Sequence, residues 1–128
     1  GTETILVVED EDPIRWLVAQ CLRESGYTVV ATGDARQALQ AAQRKDVSID
    51  MLITDVVMPG VGGVELAMQV RGLRPGIPVL FVSGYGSDDL SRRGVDLKRA
   101  VLLVKPFRHE NLIETVHRML DAPEPRER

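Results

Sequence analysis

The chain has 128 residues, of which 44% are hydrophobic and 27% charged, and its formal net charge is -3. This length suits one domain with a hydrophobic core, and the mild acidic balance gives no electrostatic reason to expect nucleic acid or an anionic membrane as the main partner. The apolar runs are too short to cross a bilayer, no signal peptide pattern opens the chain, and the single cysteine, Cys21, excludes an internal disulfide and suits a reducing compartment.

Apolar runs alternate with amphipathic stretches, which predicts alternating strands and helices. In chain order, we predict a strand over residues 5–8, a helix over about 13–25, a strand over 27–31, a helix over about 34–45 and a strand over 51–54. A helix ending near residue 74 follows the glycine-rich turn at 59–63, and a strand over 78–82 comes next. Residues 84–100 are poorly patterned and predict only a short or irregular helix near 88–93, before a strand over 101–104 and a last helix over about 108–120.

The helices carry start signals and apolar faces. Asp12 and Asp34 stand where N-cap residues are expected, and Pro13 suits a first helical position. The side chains predicted to face inward are Ile14, Leu17, Val18, Cys21 and Leu22 in the first helix, Ala35, Ala38, Leu39 and Ala42 in the second, Leu66, Ala67 and Val70 in the third, and Leu112, Ile113, Val116 and Leu120 in the last.

The strand patterns predict the fold class. The first, third, fourth and fifth strands are continuous apolar runs, as in parallel strands covered on both faces, and the second alternates more and is the expected edge. Helical crossovers between parallel strands are nearly always right-handed. We therefore predict an α/β fold, a doubly wound five-stranded parallel sheet of the flavodoxin-like type with strand order 2-1-3-4-5. One domain over residues 1–121 would be followed by a flexible tail or linker at 122–128. Since the chain begins without Met, we expect it to be part of a longer protein.

The ends of the central strands carry polar groups that the edge strand lacks. Glu9 and Asp10 follow the first strand, Asp55 the third, Ser83 the fourth and Lys105 the fifth. Ligands of such sheets bind beyond the carboxyl ends of the strands. Clustered carboxylates repel unless they are protonated or hold a cation, and an all-oxygen set suits Mg²⁺. Together with a lysine and a hydroxyl, these groups predict a phosphoryl-transfer site with an aspartate nucleophile.

Each of these residues also has an ordinary interpretation when it is taken alone. The acidic run from Glu9 to Glu11 could simply favour the positive end of the first helix. Asp55 alone could be a turn residue, and Lys105 alone a solvated surface residue. His109 and His117 lack a metal-binding or kinase-like context and are predicted to be ordinary helix positions.

Four segments together carry a resemblance to a known family. The stretches ILVVEDE, MLITDVVMPG, VLFVSGYG and VLLVKPF resemble the CheY-like receiver domain of two-component response regulators, over about residues 4–121, and particularly the receivers of hybrid sensor histidine kinases. The resemblance implies that Asp55 is the phosphoacceptor, and that Ser83 and Lys105 contact the phosphoryl group. It further implies that Glu9, Asp10, Asp55 and the backbone carbonyl of Val57 hold Mg²⁺, and that the Lys105–Pro106 peptide is cis.

The same resemblance implies the partners. The phosphoryl donor would be a phosphohistidine on a histidine kinase or a histidine phosphotransfer protein. Self-association could use the loop after the fourth strand, the fifth strand and the last helix, and neither nucleic acid nor a membrane is expected to bind this domain. We expect a cytoplasmic domain, with a parent protein that could be membrane-anchored if it is a hybrid kinase. The domain would be a switch rather than a metabolic enzyme.

The sequence leaves two alternatives open, and three positions depart from the family pattern. The fold could serve as a phosphorylation-independent interaction domain, or as a phosphatase of the haloacid dehalogenase type. That phosphatase type uses a second aspartate where Val57 stands. Leu102 replaces the aromatic residue of the usual output switch. Val57 and Tyr85 offer no group to orient water, which predicts a persistent phosphoryl-aspartate.

Overall fold

The five strands of the sheet run parallel in the order that the sequence predicts. The computed structural model describes residues 2–84, 91–92 and 101–121. Its strands are β1 Thr4–Val8, β2 Thr28–Thr32, β3 Met51–Asp55, β4 Val79–Ser83 and β5 Val101–Val104. They lie in the order β2-β1-β3-β4-β5, with every neighbouring pair parallel. The prediction of a doubly wound, flavodoxin-like α/β fold is confirmed.

Within residues 2–84 and 101–121, four helices connect or follow these strands. They are α1 Asp12–Glu24, α2 Ala35–Gln43, α3 Gly63–Leu73 and α4 His109–Asp121. Of the weak helix predicted near residues 88–93, only Ser91 and Arg92 are described, and both are helical. Tyr85 and the predicted tail at 122–128 lie outside the described residues. No helix in the described ranges has the length and apolarity that a bilayer crossing needs.

The sheet separates two apolar cores, because successive strand residues point to opposite faces. Leu6, Val8 and Leu52 pack with α2 and α3 on one face, whereas Ile5 and Val7 pack with α1 and α4 on the other. The strand β3 is buried at all of its positions. The continuous apolar runs of the central strands thus reflect burial on both faces, as predicted.

Three local predictions were wrong. Leu17 is 47% exposed, because the buried stripe of α1 centres on Val18 and Leu22 and leaves Leu17 on its flank. Asp12 begins α1, so Glu11 takes the N-cap position and makes no side-chain capping bond. The edge strand β5 pairs with β4 alone and is only half-buried, although its apolar run predicted burial on both faces.

The N-cap predicted for α2 is present. The Asp34 carboxylate accepts a hydrogen bond from the Gln37 backbone N–H at 2.8 Å. Replacing Asp34 by alanine should therefore lower the free energy of unfolding by about 1 kcal/mol, measured by urea denaturation. Asp34→Ser, which keeps an acceptor, should lose less than half of that. Equal losses in the two variants would show that the capping bond contributes nothing.

Candidate functional site

The polar side chains predicted from the sequence lie at the carboxyl ends of four neighbouring strands. Glu9 and Asp10 follow β1, Asp55 and Ser83 are the last residues of β3 and β4, and Lys105 follows β5. Pairing of β1 with β3, β3 with β4 and β4 with β5 brings these ends to one edge of the sheet. This is the edge at which open α/β sheets bind ligands.

Lys105 connects two of the carboxylates. Its Nζ lies 3.1 Å from Glu9 Oε1 and 3.1 Å from Asp55 Oδ2. The Lys105 backbone N–H also donates to the Ser83 carbonyl oxygen at 2.7 Å. The lysine is therefore held by the end of β4 while its ammonium group lies between residues from β3 and from the turn after β1. The peptide between Lys105 and Pro106 is cis, as the resemblance implies.

The three carboxylates form a compact cluster. One ligand oxygen each from Glu9, Asp10 and Asp55 lies within 4.8 Å of the others. Glu9 is 4% exposed and Asp55 is 8% exposed, so water screens this pair poorly. Three carboxylates against the one ammonium of Lys105 leave two negative charges in the cluster. Hard oxygen donors with this charge excess fit a divalent cation of the Mg²⁺ type.

Glu9 is fixed from several sides. Its Oε2 accepts from the Glu11 backbone N–H at 3.1 Å, and its own backbone N–H donates to the Thr32 carbonyl at 3.1 Å. Burial raises the pKa of Glu9, and the charge of Asp55 adds to the rise; the hydrogen bonds from Glu11 and Lys105 oppose it without cancelling it. The folded protein thus makes the charged form of Glu9 less favourable, and a cation bound beside it would offset that cost.

Lys105 stays charged in this setting. Burial alone lowers its pKa, but the hydrogen bonds and the attraction of Glu9 and Asp55 outweigh burial, and the net pKa is raised. A permanently positive group beside Asp55 is suited to stabilise negative charge that develops on a group transferred to that carboxylate.

The turn after β3 sets the position of Asp55. The Gly63 backbone N–H donates to the Val56 carbonyl at 2.8 Å, which closes the β3–α3 loop. A Cβ on Gly63 would lie 1.9 Å from the Asp55 carbonyl oxygen, so only glycine lets α3 begin so close to the strand. The role of this glycine was missed, because the sequence showed only a glycine-rich turn.

The remaining predicted residues, Ser83 and Val57, occupy the same region. Ser83 is 1% exposed at the end of β4, and Val57 lies in the turn two residues after Asp55 with its side chain 38% exposed. The Val57 carbonyl as a metal ligand stays a prediction. Glu11 donates its backbone N–H to Glu9 Oε2. Its carboxylate does not belong to the cluster of three carboxylates found among the described residues.

Two other side chains were set aside or missed in the sequence. His117 Nδ1 lies 2.6 Å from the Tyr27 hydroxyl oxygen, and this bond links α4 to the residue before β2. His117 therefore has a structural partner away from the carboxylate cluster. Arg15 was missed altogether: its Nη1 donates to the Glu9 carbonyl at 2.8 Å. The sequence signal that could have revealed it is an arginine in the first turn of the helix that follows the acidic run.

Comparisons with known proteins identify the family of the chain. Residues 5–117 match the model of the response regulator receiver domain. The chain is 30% identical over 118 residues to the response regulator receiver protein CpdR of Brucella abortus, covering 92% of this chain and 97% of CpdR. It is 36% identical over 121 residues to the sensor kinase CckA of the same organism, covering 94% of this chain but 13% of the kinase.

Solved structures give the same result. The receiver domain of the hybrid histidine kinase CckA is 38% identical, with a TM-score of 0.77 over 91% of this chain and 98% of that one. The response regulator TrrA of Thermotoga maritima, solved in complex with Mg²⁺ and BeF, is 30% identical, with a TM-score of 0.76 over 93% of this chain and 100% of TrrA. The chain belongs to the response regulator receiver domain family of two-component signalling.

Proposed function

We propose that this receiver domain takes a phosphoryl group from a phosphohistidine onto the Asp55 carboxylate. We propose further that Glu9, Asp10, Asp55 and the Val57 carbonyl hold the Mg²⁺ that the reaction needs. The observation that carries the proposal is the contact of Lys105 Nζ with both Glu9 and Asp55, at 3.1 Å each. The contact joins a nucleophile, an acidic cluster and a fixed cation in one small site.

The chemistry follows from the residues of the site. An oxygen of the Asp55 carboxylate attacks phosphorus, the new P–O bond forms as the P–N bond of the donor breaks, and the electron pair returns to the imidazole nitrogen. Lys105 is positioned to interact with the negative oxygens of the transferred group, and Ser83 at the neighbouring strand end offers a hydroxyl to them. When bound, Mg²⁺ supplies charge neutralisation and orientation of the phosphoryl group.

Phosphorylation would change the charge balance of the site. The new group brings roughly two negative charges near neutral pH, by analogy with hydroxyl phosphates. Lys105 and Ser83 are then attracted toward Asp55, and the Ser83 carbonyl bond to Lys105 couples the ends of β4 and β5. We propose that this shift alters the surface beside β5, where Leu102 replaces the usual aromatic residue, and thereby changes partner binding.

The partner in such systems is in general a histidine kinase or a phosphotransfer protein. Because the chain spans 13% of CckA and 97% of CpdR, it has the size of either a kinase-attached receiver or a free-standing one. Self-association through the loop after β4, β5 and α4 stays a prediction, as does the slow hydrolysis expected from Val57 and Tyr85. The alternative of a phosphorylation-independent interaction domain predicts that no phosphoryl group is gained.

The direct test is incubation of the protein with acetyl phosphate, with and without Mg²⁺, followed by intact mass and mapping of the modified peptide. We expect a gain of one phosphoryl group that requires Mg²⁺, maps to Asp55 and is labile to hydroxylamine, as an acyl phosphate is. No gain at saturating Mg²⁺, from acetyl phosphate or from a phosphohistidine protein, would reject the proposal in favour of the interaction-domain alternative.

Replacing Lys105 by methionine separates its two expected effects. The rate of phosphorylation should fall by about a hundredfold, as when a preorganised donor is removed from a reacting site. Mg²⁺ affinity should not fall, because the variant loses a cation that competes for Glu9 and Asp55. The exposed Lys45→Met variant is the control, and phosphorylation kinetics with a Mg²⁺ titration are the measurements. An unchanged rate in Lys105→Met would remove the lysine from the mechanism.

A further inference from the structure

The side chain of Arg15 turns back from α1 toward the end of β1. Its Nη1 donates to the Glu9 carbonyl at 2.8 Å, and its Nη2 pairs with the Asp12 carboxylate. The Arg15 side chain is 25% exposed, whereas that of Asp12 is 82% exposed. The guanidinium is therefore largely covered and reaches the backbone at the start of the acidic run.

The carbonyl that Arg15 binds belongs to the peptide that joins Glu9 to Asp10. Pairing between β1 and β2 ends at Val8 and Thr32, and the Glu9 N–H makes one more bond, to Thr32 O at 3.1 Å. Past that point the chain leaves the sheet, and the Arg15 guanidinium supplies the hydrogen-bond donor for the Glu9 carbonyl. The orientation of this peptide decides where the Asp10 side chain points relative to Glu9 and Asp55.

The end of β2 leaves space for the guanidinium. A Cβ at Gly33 would lie 3.1 Å from Arg15 Nη1 and 3.8 Å from Arg15 Cζ. The bonds to Glu9 and Asp12 thus hold the guanidinium in space that a side chain at position 33 would crowd. Because the planar fork bridges a main-chain carbonyl and a carboxylate, a lysine could not make both contacts in the same way.

We infer that Arg15 is a positioning residue for the metal site: by holding the Glu9–Asp10 peptide, it keeps the two acidic side chains aimed at Asp55. This inference rests on the proposed Mg²⁺ site. Arg15 does not touch the reacting atoms and contributes no ligand. Groups that orient metal ligands typically affect metal affinity by about 10- to 100-fold.

The charge of Arg15 and its positioning role predict opposite changes in Mg²⁺ affinity when the residue is replaced. The guanidinium is a cation close to the proposed site of another cation, so charge alone makes Mg²⁺ binding tighter when Arg15 is neutralised. Loss of positioning makes Mg²⁺ binding weaker. The sign of the change in affinity therefore distinguishes the two roles.

The test compares Mg²⁺ affinity in wild type, Arg15→Met, Arg15→Lys and Arg23→Met, by titration followed through backbone amide NMR shifts. Arg23 is a matched control on the same helix, because its Nη2 donates to a main-chain carbonyl, that of Val29, at 3.1 Å. We expect the dissociation constant to rise about tenfold in Arg15→Met and by a smaller factor in Arg15→Lys. In Arg23→Met it should stay within about twofold, even if all three variants lose similar stability.

A kinetic readout accompanies the titration. The Mg²⁺ concentration for half-maximal phosphorylation by acetyl phosphate should rise in Arg15→Met, while the rate at saturating Mg²⁺ stays near that of wild type. Affinity that is unchanged or tighter in Arg15→Met overturns the inference and leaves the proposed function intact. Failure of wild type to bind Mg²⁺ overturns both. If Arg15→Met does not fold, wild-type affinity in Arg15→Lys overturns the inference, and weakened affinity there, without weakening in Arg23→Met, supports it.

Discussion

Asp55→Asn should abolish phosphoryl incorporation, with a loss on the order of a thousandfold or more in rate. The amide has nearly the shape of the carboxylate but lacks its negative charge and is a very poor nucleophile, so the P–O bond cannot form at this position. Its oxygen can still accept the hydrogen bond that Lys105 now donates to Asp55 Oδ2. The chemical step is therefore lost while the packing around the end of β3 is largely kept.

The measurement is the intact mass of wild type and variant after incubation with acetyl phosphate and Mg²⁺. Asp46→Asn is the matched control, because Asp46 is exposed and pairs with Arg44 away from the strand ends. The control should gain one phosphoryl group at the wild-type rate. Incorporation into Asp55→Asn at a comparable rate would place the acceptor on another residue. Asp10→Asn, a second variant, should retain Asp55 but require a much higher Mg²⁺ concentration.

Gly63→Ala should be among the most damaging single-methyl substitutions in the domain. The added Cβ would lie 1.9 Å from the Asp55 carbonyl oxygen, 2.9 Å from its carbonyl carbon and 3.0 Å from Val56 Cα. All three atoms belong to the backbone, so no side-chain rotation relieves the clash. The start of α3 must move away from β3, which we expect to lower the free energy of unfolding by about 3 kcal/mol or more.

Gly72 provides the control for this substitution in the same helix. A Cβ at Gly72 meets no atom within 4 Å, so Gly72→Ala should raise the free energy of unfolding by up to about 1 kcal/mol through helix propensity alone. Urea denaturation measures both variants. Movement at Gly63 would also displace Asp55, so the phosphorylation rate should fall in Gly63→Ala and stay unchanged in Gly72→Ala. Equal stability of the two alanine variants would contradict the close approach of α3 to β3.

The sequence alone determined the sheet and the residues at its active edge. Runs such as residues 5–8 and 51–53 are apolar throughout, and only strands buried on both faces require that pattern. Parallel crossovers then place the ends of these strands together, so the sequence alone assigns Glu9, Asp55 and Lys105 to one site. Local chemistry was equally informative at Asp34, where a short-range capping bond depends on residues three positions apart.

Only the tertiary structure decided how these groups meet. Three features depend on how the loops run: the two 3.1 Å contacts of Lys105, the hydrogen bond from Arg15 to the Glu9 carbonyl, and the requirement for glycine at position 63. The same holds for the exposure of Leu17 and the half-buried β5, which depend on what packs against them. Hydrophobic periodicity records which face of an element is covered, but loop geometry and neighbouring elements set the distances between side chains, and no local pattern encodes those distances.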